Sequence, residues 1–357
     1  MNYTFYTNSV AAFDGMQEAL RVAITSIYWE SYIFIDDVAT HRFLDLLKEK
    51  ATQGVSVKIV LDSVGSFQFF NAMQRDLASC GIELLFFNPL LPWRNPYRLR
   101  RWWFLRTHRK LLIIDGRVGF IGGVNIGKHY AGWHDLHLRL EGVFVRRFVV
   151  SFARSYRLSG GRDRLLLPSR NNVDPASFMN ILFLDHSPFG GRSYLRRVYK
   201  AHCMAATRRI VIVTPYFVPH RWLMRALQRA IRRGVAVEVI MPKTTDSRLL
   251  NLANAVCREL GARRGIMFFL FPEMIHAKAL LVDDREGIVG SNNIDALSFD
   301  YNLEASVSFS DEHMVGDLRT IIETWKQAST RYYPHAKKKS WYERALILLV
   351  KLLQPIL

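Results

Sequence analysis

The strongest constraint on this chain is an internal repeat. Gly54-Val-Ser-Val-Lys-Ile-Val60 returns 180 residues later as Gly234-Val-Ala-Val-Glu-Val-Ile240. Each copy is a glycine stop followed by an alternating β-branched strand. Upstream, Phe43, Leu44, Leu47 and Ala51 mark one helical face, and Leu223, Leu227, Ala230 and Ile231 mark the matching one. Further upstream, apolar strands end in Tyr32-Ile-Phe and Tyr216-Phe-Val. Each half therefore reads strand, helix, strand, which predicts two repeated α/β domains, each a mixed β-sheet flanked by helices. Downstream the offset falls to 168, because the first half carries an insert from Leu91 to Arg106. The reading divides the chain into a first domain over 1–160, a Gly/Arg/Pro/Asn-rich linker over 161–177, a second domain over 178–333 and a tail over 334–357.

Within this repeat lies a doubled motif. The first copy runs His108-Arg-Lys110-Leu-Leu-Ile-Ile-Asp115, then Gly122-Gly123-Val-Asn125; the second runs His276-Ala-Lys278-Ala-Leu-Leu-Val-Asp283, then Gly290-Ser291-Asn-Asn293. One His-x-Lys is noise, but four residue types met twice at one spacing are not. On a strand, His and Lys two apart project from the same face. Asp115-Gly116 reads as a hairpin turn that returns Asn125 to the side of His108. Gly123 and Ser291 are small enough for a substrate phosphate to approach the backbone. Two Lys and two Asn provide the cations and amide donors that a phosphodiester needs as charge builds on its nonbridging oxygens, with no metal and no cofactor. A carboxylate follows each motif, Asp135 in Trp-His-Asp-Leu-His and Glu304 in Tyr-Asn-Leu-Glu. A carboxylate on Nδ1 of a catalytic histidine fixes its tautomer and leaves Nε2 free to attack.

Composition narrows the partners. Lys plus Arg number 49 against 31 Asp plus Glu, a formal charge of +18, which draws the chain to polyanions: nucleic acid or an anionic membrane face. The N-terminus lacks the basic segment and apolar core of a signal peptide, and no uncharged apolar run of about 20 residues reads as a spanning helix. Three scattered cysteines, Cys80, Cys203 and Cys257, form neither a disulfide framework nor a metal-ligand spacing, which suits a reducing compartment such as the cytoplasm.

The paired motifs resemble the His-Lys-Asp signature of the phospholipase D superfamily, over nearly the whole chain from about Tyr3 to Arg331. The resemblance implies a monomer with pseudo-twofold symmetry and one active site at the interface of its halves. It implies that one histidine attacks phosphorus to give a phosphohistidine while the other exchanges protons with the leaving and entering alcohols. His108 is then the expected nucleophile, and Asp115 and Asp283 are structural. Within the superfamily, Trp133-His-Asp-Leu-His-Leu-Arg-Leu-Glu-Gly142 and Thr214-Pro-Tyr-Phe-Val-Pro219 are most similar to bacterial cardiolipin synthases of the subgroup without N-terminal spanning helices. That resemblance implies transfer of a phosphatidyl group from phosphatidylglycerol to a second lipid. Tyr216 is a candidate substrate contact, with packing in the core as the alternative.

Two segments outside the repeat point to a membrane surface. Trp102 and Trp103 sit among the insert's arginines, a composition suited to a membrane interface and equally to stacking on single strands. Lys337, Lys338 and Lys339 precede Trp341 and an amphipathic run to Leu357, which suits a helix lying in an anionic bilayer surface. A helix packed back on the body is the alternative. The expectation is a peripheral enzyme on the cytoplasmic face of the inner membrane, with anionic phospholipid as partner and no nucleic acid. A phospholipase D releasing headgroups to water, a nuclease and a membrane-binding pseudoenzyme are its rivals.

Overall fold

Alternation of buried Val57, Ile59 and Leu61 along one strand, and of Val237 and Val239 along its repeat, lays down a sheet in each half. The computed structural model describes residues 2–67, 72–89, 105–163, 166, 180–188 and 193–334. The first half runs β1 (Tyr3–Asn8), α1 (Ser9–Arg21), β2 (Ser26–Ser31), α2 (Val38–Thr52), β3 (Ser56–Asp62), α3 (Ala72–Ser79), β4 (Glu83–Phe87), β5 (Leu111–Ile114), β6 (Val118–Gly122), β7 (His134–Glu141) and α4 (Arg146–Leu158). The second runs β8 (Ile181–His186), α5 (Tyr194–Ala205), β9 (Arg209–Val213), α6 (Arg221–Arg232), β10 (Ala236–Pro242), α7 (Arg248–Ala262), β11 (Met267–Phe271), β12 (Ala279–Val282), β13 (Glu286–Gly290), β14 (Glu304–Phe309), α8 (Glu312–Gln327) and β15 (Thr330–Tyr332).

The strand orders are β1-β7-β6-β5-β2-β3-β4 and β15-β11-β10-β9-β12-β13-β14-β8. Read from opposite ends, the second repeats the first, with β15 added at one edge. In each, three strands are parallel (β2-β3-β4, β9-β10-β11) and the others antiparallel. The expected helical faces are buried by Phe43, Leu44 and Leu47 in α2 and by Leu223, Leu227 and Ala230 in α6; Ala51 and Ile231 are only partly covered, and Ala226 completes the second face.

Each sheet covers its outer face with its own helices, forming two separate cores. A third core is shared: Ile113, Leu136, Leu138 and Phe152 from the first half pack with Val211, Val213, Val307 and Trp325 from the second. Burying both inner faces in one apolar layer brings β6 and β7 against β13 and β14, the strands that flank the doubled motif.

The β5–β6 and β12–β13 hairpins turn on Asp115 and Asp283, both left-handed at φ 53° and 52°. Asp115 accepts from Thr25 N (2.6 Å) and Ser26 N (2.9 Å), and Asp283 from Thr207 N (2.8 Å) and Arg208 N (2.7 Å). Partial burial opposes ionisation here, yet the backbone donors hold both carboxyls below their usual range. Each aspartate thus pins a hairpin turn to the start of the neighbouring strand, β2 or β9.

Most of the 161–177 linker, the insert with Trp102 and Trp103, and the tail with Lys337, Lys338, Lys339 and Trp341 lie outside the described residues. No described helix is long and apolar enough to cross a membrane.

Candidate active site

The sequence places each His-x-Lys on a strand. In the structure both triplets precede their strands, as extended segments leading into β5 and β12. Their backbone partners come from the other half. His108 N donates to Leu303 O (2.9 Å) and Leu303 N to Arg106 O (2.9 Å); His276 N donates to His134 O (2.6 Å) and His134 N to Met274 O (3.0 Å). Each lead-in therefore forms a short parallel bridge with the residue just before the opposite half's acid.

This bridge decides which acid meets which imidazole. Glu304 follows Leu303, and its oxygens lie 3.0 and 3.1 Å from His108 Nδ1. Asp135 follows His134, and its Oδ2 lies 2.8 Å from His276 Nδ1. The halves have exchanged acids. Burial opposes the charge on both carboxylates, but the adjacent imidazoles and lysines outweigh it: Glu304 is pulled down to about 2, and Asp135 below its usual range. Burial lowers His108 and His276 to about 4 each, against the pull of their acids. Each pair is thus a neutral imidazole whose Nδ1–H donates to a carboxylate, leaving a lone pair on Nε2.

The lysines lie beneath. Burial lowers Lys110 to about 7, with Lys278 adding repulsion, and Lys278 to about 8. Lys110 Nζ donates to His108 O (2.8 Å) and sits over the Tyr32 ring; Lys278 Nζ lies 2.7 Å from His276 Nε2. His108 Nε2 has no hydrogen-bond partner among the described residues, so the two imidazoles are not equivalent. Both histidines, Asn125, Asn293, Tyr32 and Tyr216 line one cavity of about 690 Å³. The amide oxygens of Asn125 and Asn293 are buried without a partner among the described residues. Tyr216 donates to Asp246 Oδ1 (2.7 Å).

Gly123 and Ser291 do something other than the sequence suggests. A Cβ on Gly123 would stand 2.0 Å from Asp135 Oδ1, and the buried Ser291 hydroxyl donates to Glu304. Both positions are small because a carboxylate fills the space above them, not because they front on the cavity. His137 is buried and stacks on Phe120, in keeping with a packing role.

Sequence reasoning missed several residues. Tyr32 is the repeat counterpart of Tyr216, and its ring lies 4.9 Å from His108; the doubled strand endings carried that signal. Trp133 and Asn302 each stand two residues before an acid and line the cavity, Trp133 with its ring 5.1 Å from His276. Arg109, the middle residue of the first motif, is fully buried. It donates to the carbonyls of Glu304 (3.3 Å) and His186 (3.0 Å), to Ser155 Oγ (2.9 Å) and to Asp185, tying the first lead-in to β8 and β14. Ala277 at the matching position has no such reach.

Because Gly123 makes room for Asp135, Gly123→Ala should displace that carboxylate from His276 Nδ1. Turnover is expected to fall about 10²-fold, the usual cost of a catalytic group moved by about 1 Å, with the melting transition still cooperative. Wild-type turnover in a folded Gly123→Ala variant would show that Asp135 does not orient His276.

The comparisons with known proteins agree with this architecture. The family described as "Cardiolipin synthase, PLD-like domain" matches residues 16–138 and 199–325, one stretch in each half. The cardiolipin synthase of Halalkalibacterium halodurans is 28% identical over 377 residues, covering 99% of this chain and 73% of that protein. Cardiolipin synthase A of Pseudomonas putida strain GB-1 is 31% identical over 326 residues, covering 87% and 67%. Among solved structures, phosphatidylserine synthase of Haemophilus influenzae superposes with a TM-score of 0.75 at 15% identity, over 99% of this chain and 95% of that one, a likeness of fold. Two family matches, one per half, and relatives spanning nearly the full chain leave one assignment: this protein belongs to the phospholipase D-like cardiolipin synthase family.

Proposed function

We propose that this protein is a phosphatidyltransferase that makes cardiolipin from phosphatidylglycerol through a phosphohistidine, with the two repeats, 1–160 and 178–333, acting as one catalytic unit. The observation that carries the chemistry is a pair of neutral, carboxylate-anchored imidazoles opening on one cavity. The lipid class is supported by the relatives named cardiolipin synthase and by the exposed apolar side chains of Val64 and Leu249 in the cavity lining.

His108 takes the nucleophile's part, since its Nε2 lone pair is unengaged. It forms an N–P bond as the bond from phosphorus to the headgroup glycerol breaks, and His276 gives that glycerol its proton. In the second step His276 takes a proton from a hydroxyl of another phosphatidylglycerol, whose oxygen displaces His108 from phosphorus. The contact between Lys278 and His276 lets the ammonium hold the proton that His276, at about 4, does not keep in the empty site. Lys110, Lys278, Asn125 and Asn293 surround the phosphate oxygens, and the chemistry calls for no metal.

Purified protein supplied with phosphatidylglycerol alone is expected to yield cardiolipin and free glycerol by mass analysis. His108→Ala and His276→Ala are each expected to lose about 10³-fold or more, with the double variant little worse. Half activity in either single variant would mean two independent sites, and phosphatidic acid as the main product would mean hydrolysis.

The pH profile follows from the site's charges. Below about 4, protonation of His108 removes the nucleophile; between about 7 and 8, Lys110 and Lys278 lose the protons that neutralise phosphate. The profile of kcat/KM, which reports the free enzyme, should fall on both sides of a plateau between these limits. Activity undiminished to pH 10 would remove the lysines from this role.

Peripheral attachment to the cytoplasmic face of the inner membrane is part of the same proposal, through Trp102, Trp103 and the tail. Replacing Lys337, Lys338 and Lys339 with Gln removes three cations worth about 1 kcal/mol each at an anionic surface, so vesicle binding at low salt should weaken about 10²-fold. Unchanged sedimentation with phosphatidylglycerol vesicles would move the anchor elsewhere.

A further inference from the structure

The proposed reaction treats the two sides of phosphorus differently. One side carries the attacking imidazole, and the other receives the departing and then the arriving alcohol. A site made of two equal copies would not distinguish them, so the distinction lies in cavity residues that break the repeat. The His, Lys, Asn and Tyr pairs do not break it. The second residue after each asparagine does: Gly127 in the first half, Asp295 in the second.

Asp295 lines the cavity and is 5% exposed; its carboxyl accepts from Ser298 N at 2.7 Å and from the side chains of Ser298 and Asn293, which hold it in place at the wall. Burial raises its carboxyl to about 7, and the nearby Glu304 adds to the rise. Asp246, at the rim, holds Tyr216, whose ring lies 6.4 Å from His276. Asn293, 7% exposed, lines the same wall, and its amide oxygen has no partner among the described residues. The second half thus supplies oxygen acceptors beside His276. The charged side chain that the first half adds to the lining is Arg106, itself anchored on Ser63 Oγ and Asn88 O. An acceptor-rich wall suits a ligand that arrives with several donors of its own.

We propose that Asp295, Asp246 and Asn293 form a subsite for the free hydroxyls of a polyol headgroup, on the His276 side of phosphorus. The proposal rests on the phosphatidyltransferase reading and names where the alcohol sits within it. The departing glycerol lies here while His276 protonates its bridging oxygen, and the hydroxyl-bearing headgroup of the acceptor lies here when His276 takes its proton. An alcohol with one hydroxyl and no other donor gains nothing from the wall.

Headgroup exchange tests this with the full chain. Phosphatidylglycerol is the donor, and deuterated glycerol, ethanolamine and ethanol compete as acceptors in one mixture, with products resolved by mass. Asp295→Asn and Asp246→Asn are each expected to lower the ratio of glycerol product to ethanol product about tenfold, the worth of one good hydrogen bond. A ratio within one sample does not depend on the fraction of protein that folds, and Asp246, being exposed, keeps the test available if Asp295→Asn does not fold. Unmoved ratios in both variants, with wild-type transfer intact, would overturn the subsite and leave the transferase standing. Loss of ethanolamine preference with glycerol preference unchanged would make the wall an ammonium site and overturn the polyol assignment. If the wild type transfers to no alcohol, the reading beneath falls and takes the subsite with it.

Discussion

Everything at this site hangs on a reciprocal exchange of backbone. Thr107 pairs with Leu303, and His134 with Ile275, each bridge joining one half's lead-in to the strand start of the other. The residue after each bridged strand start is the acid that orients the opposite imidazole. Two neutral imidazoles held in one tautomer, two carboxylates held ionised and two lysines held below their usual range all follow from that arrangement. Burial alone would leave each of these charges without compensation; paired across the interface, they are satisfied.

The shared apolar core makes the exchange possible, and α4 and α8 help to fill it, through Phe152 and Trp325. The remaining helices cover each sheet's outer face, and on the inner faces β6 and β7 meet β13 and β14 where the motifs emerge. Arg109 reinforces the joint from one side only. Its guanidinium crosses from the first lead-in to Asp185 and to the carbonyls of β8 and β14. Satisfying a buried guanidinium with a carboxylate, a hydroxyl and carbonyls is the arrangement that keeps such a charge tolerable in an apolar layer.

Much of this was legible in the sequence because repetition converts weak signals into strong ones. One His-x-Lys says little, whereas the same spacing at 108 and 276 located the site; the parallel endings at Tyr32 and Tyr216 carried a like signal, of which only Tyr216 was read. The crossing of acids was not legible. His108 and Glu304 are 196 residues apart and His276 and Asp135 141 apart, and a contact at such range imposes no periodicity on the chain between. Gly123 misled for a related reason. A glycine beside a catalytic motif reads as room for substrate, while the group that occupies its space comes from a carboxylate twelve positions on, folded back over the hairpin. The lead-ins look like strands because they are extended, but their partners belong to the other repeat.

The exchange also bears on the protein while it is being made. Synthesis delivers the first half complete with His108, Lys110 and Asn125 well before Glu304 leaves the ribosome. Without that carboxylate the imidazole is free to change tautomer and lacks its anchored orientation, and the cavity has one wall. A chain that ends before Glu304 therefore leaves His108 Nδ1 without its carboxylate. The Nδ1 partner of His108 is thus among the last parts of the site to be made, on the strand that pairs with β13 and β8.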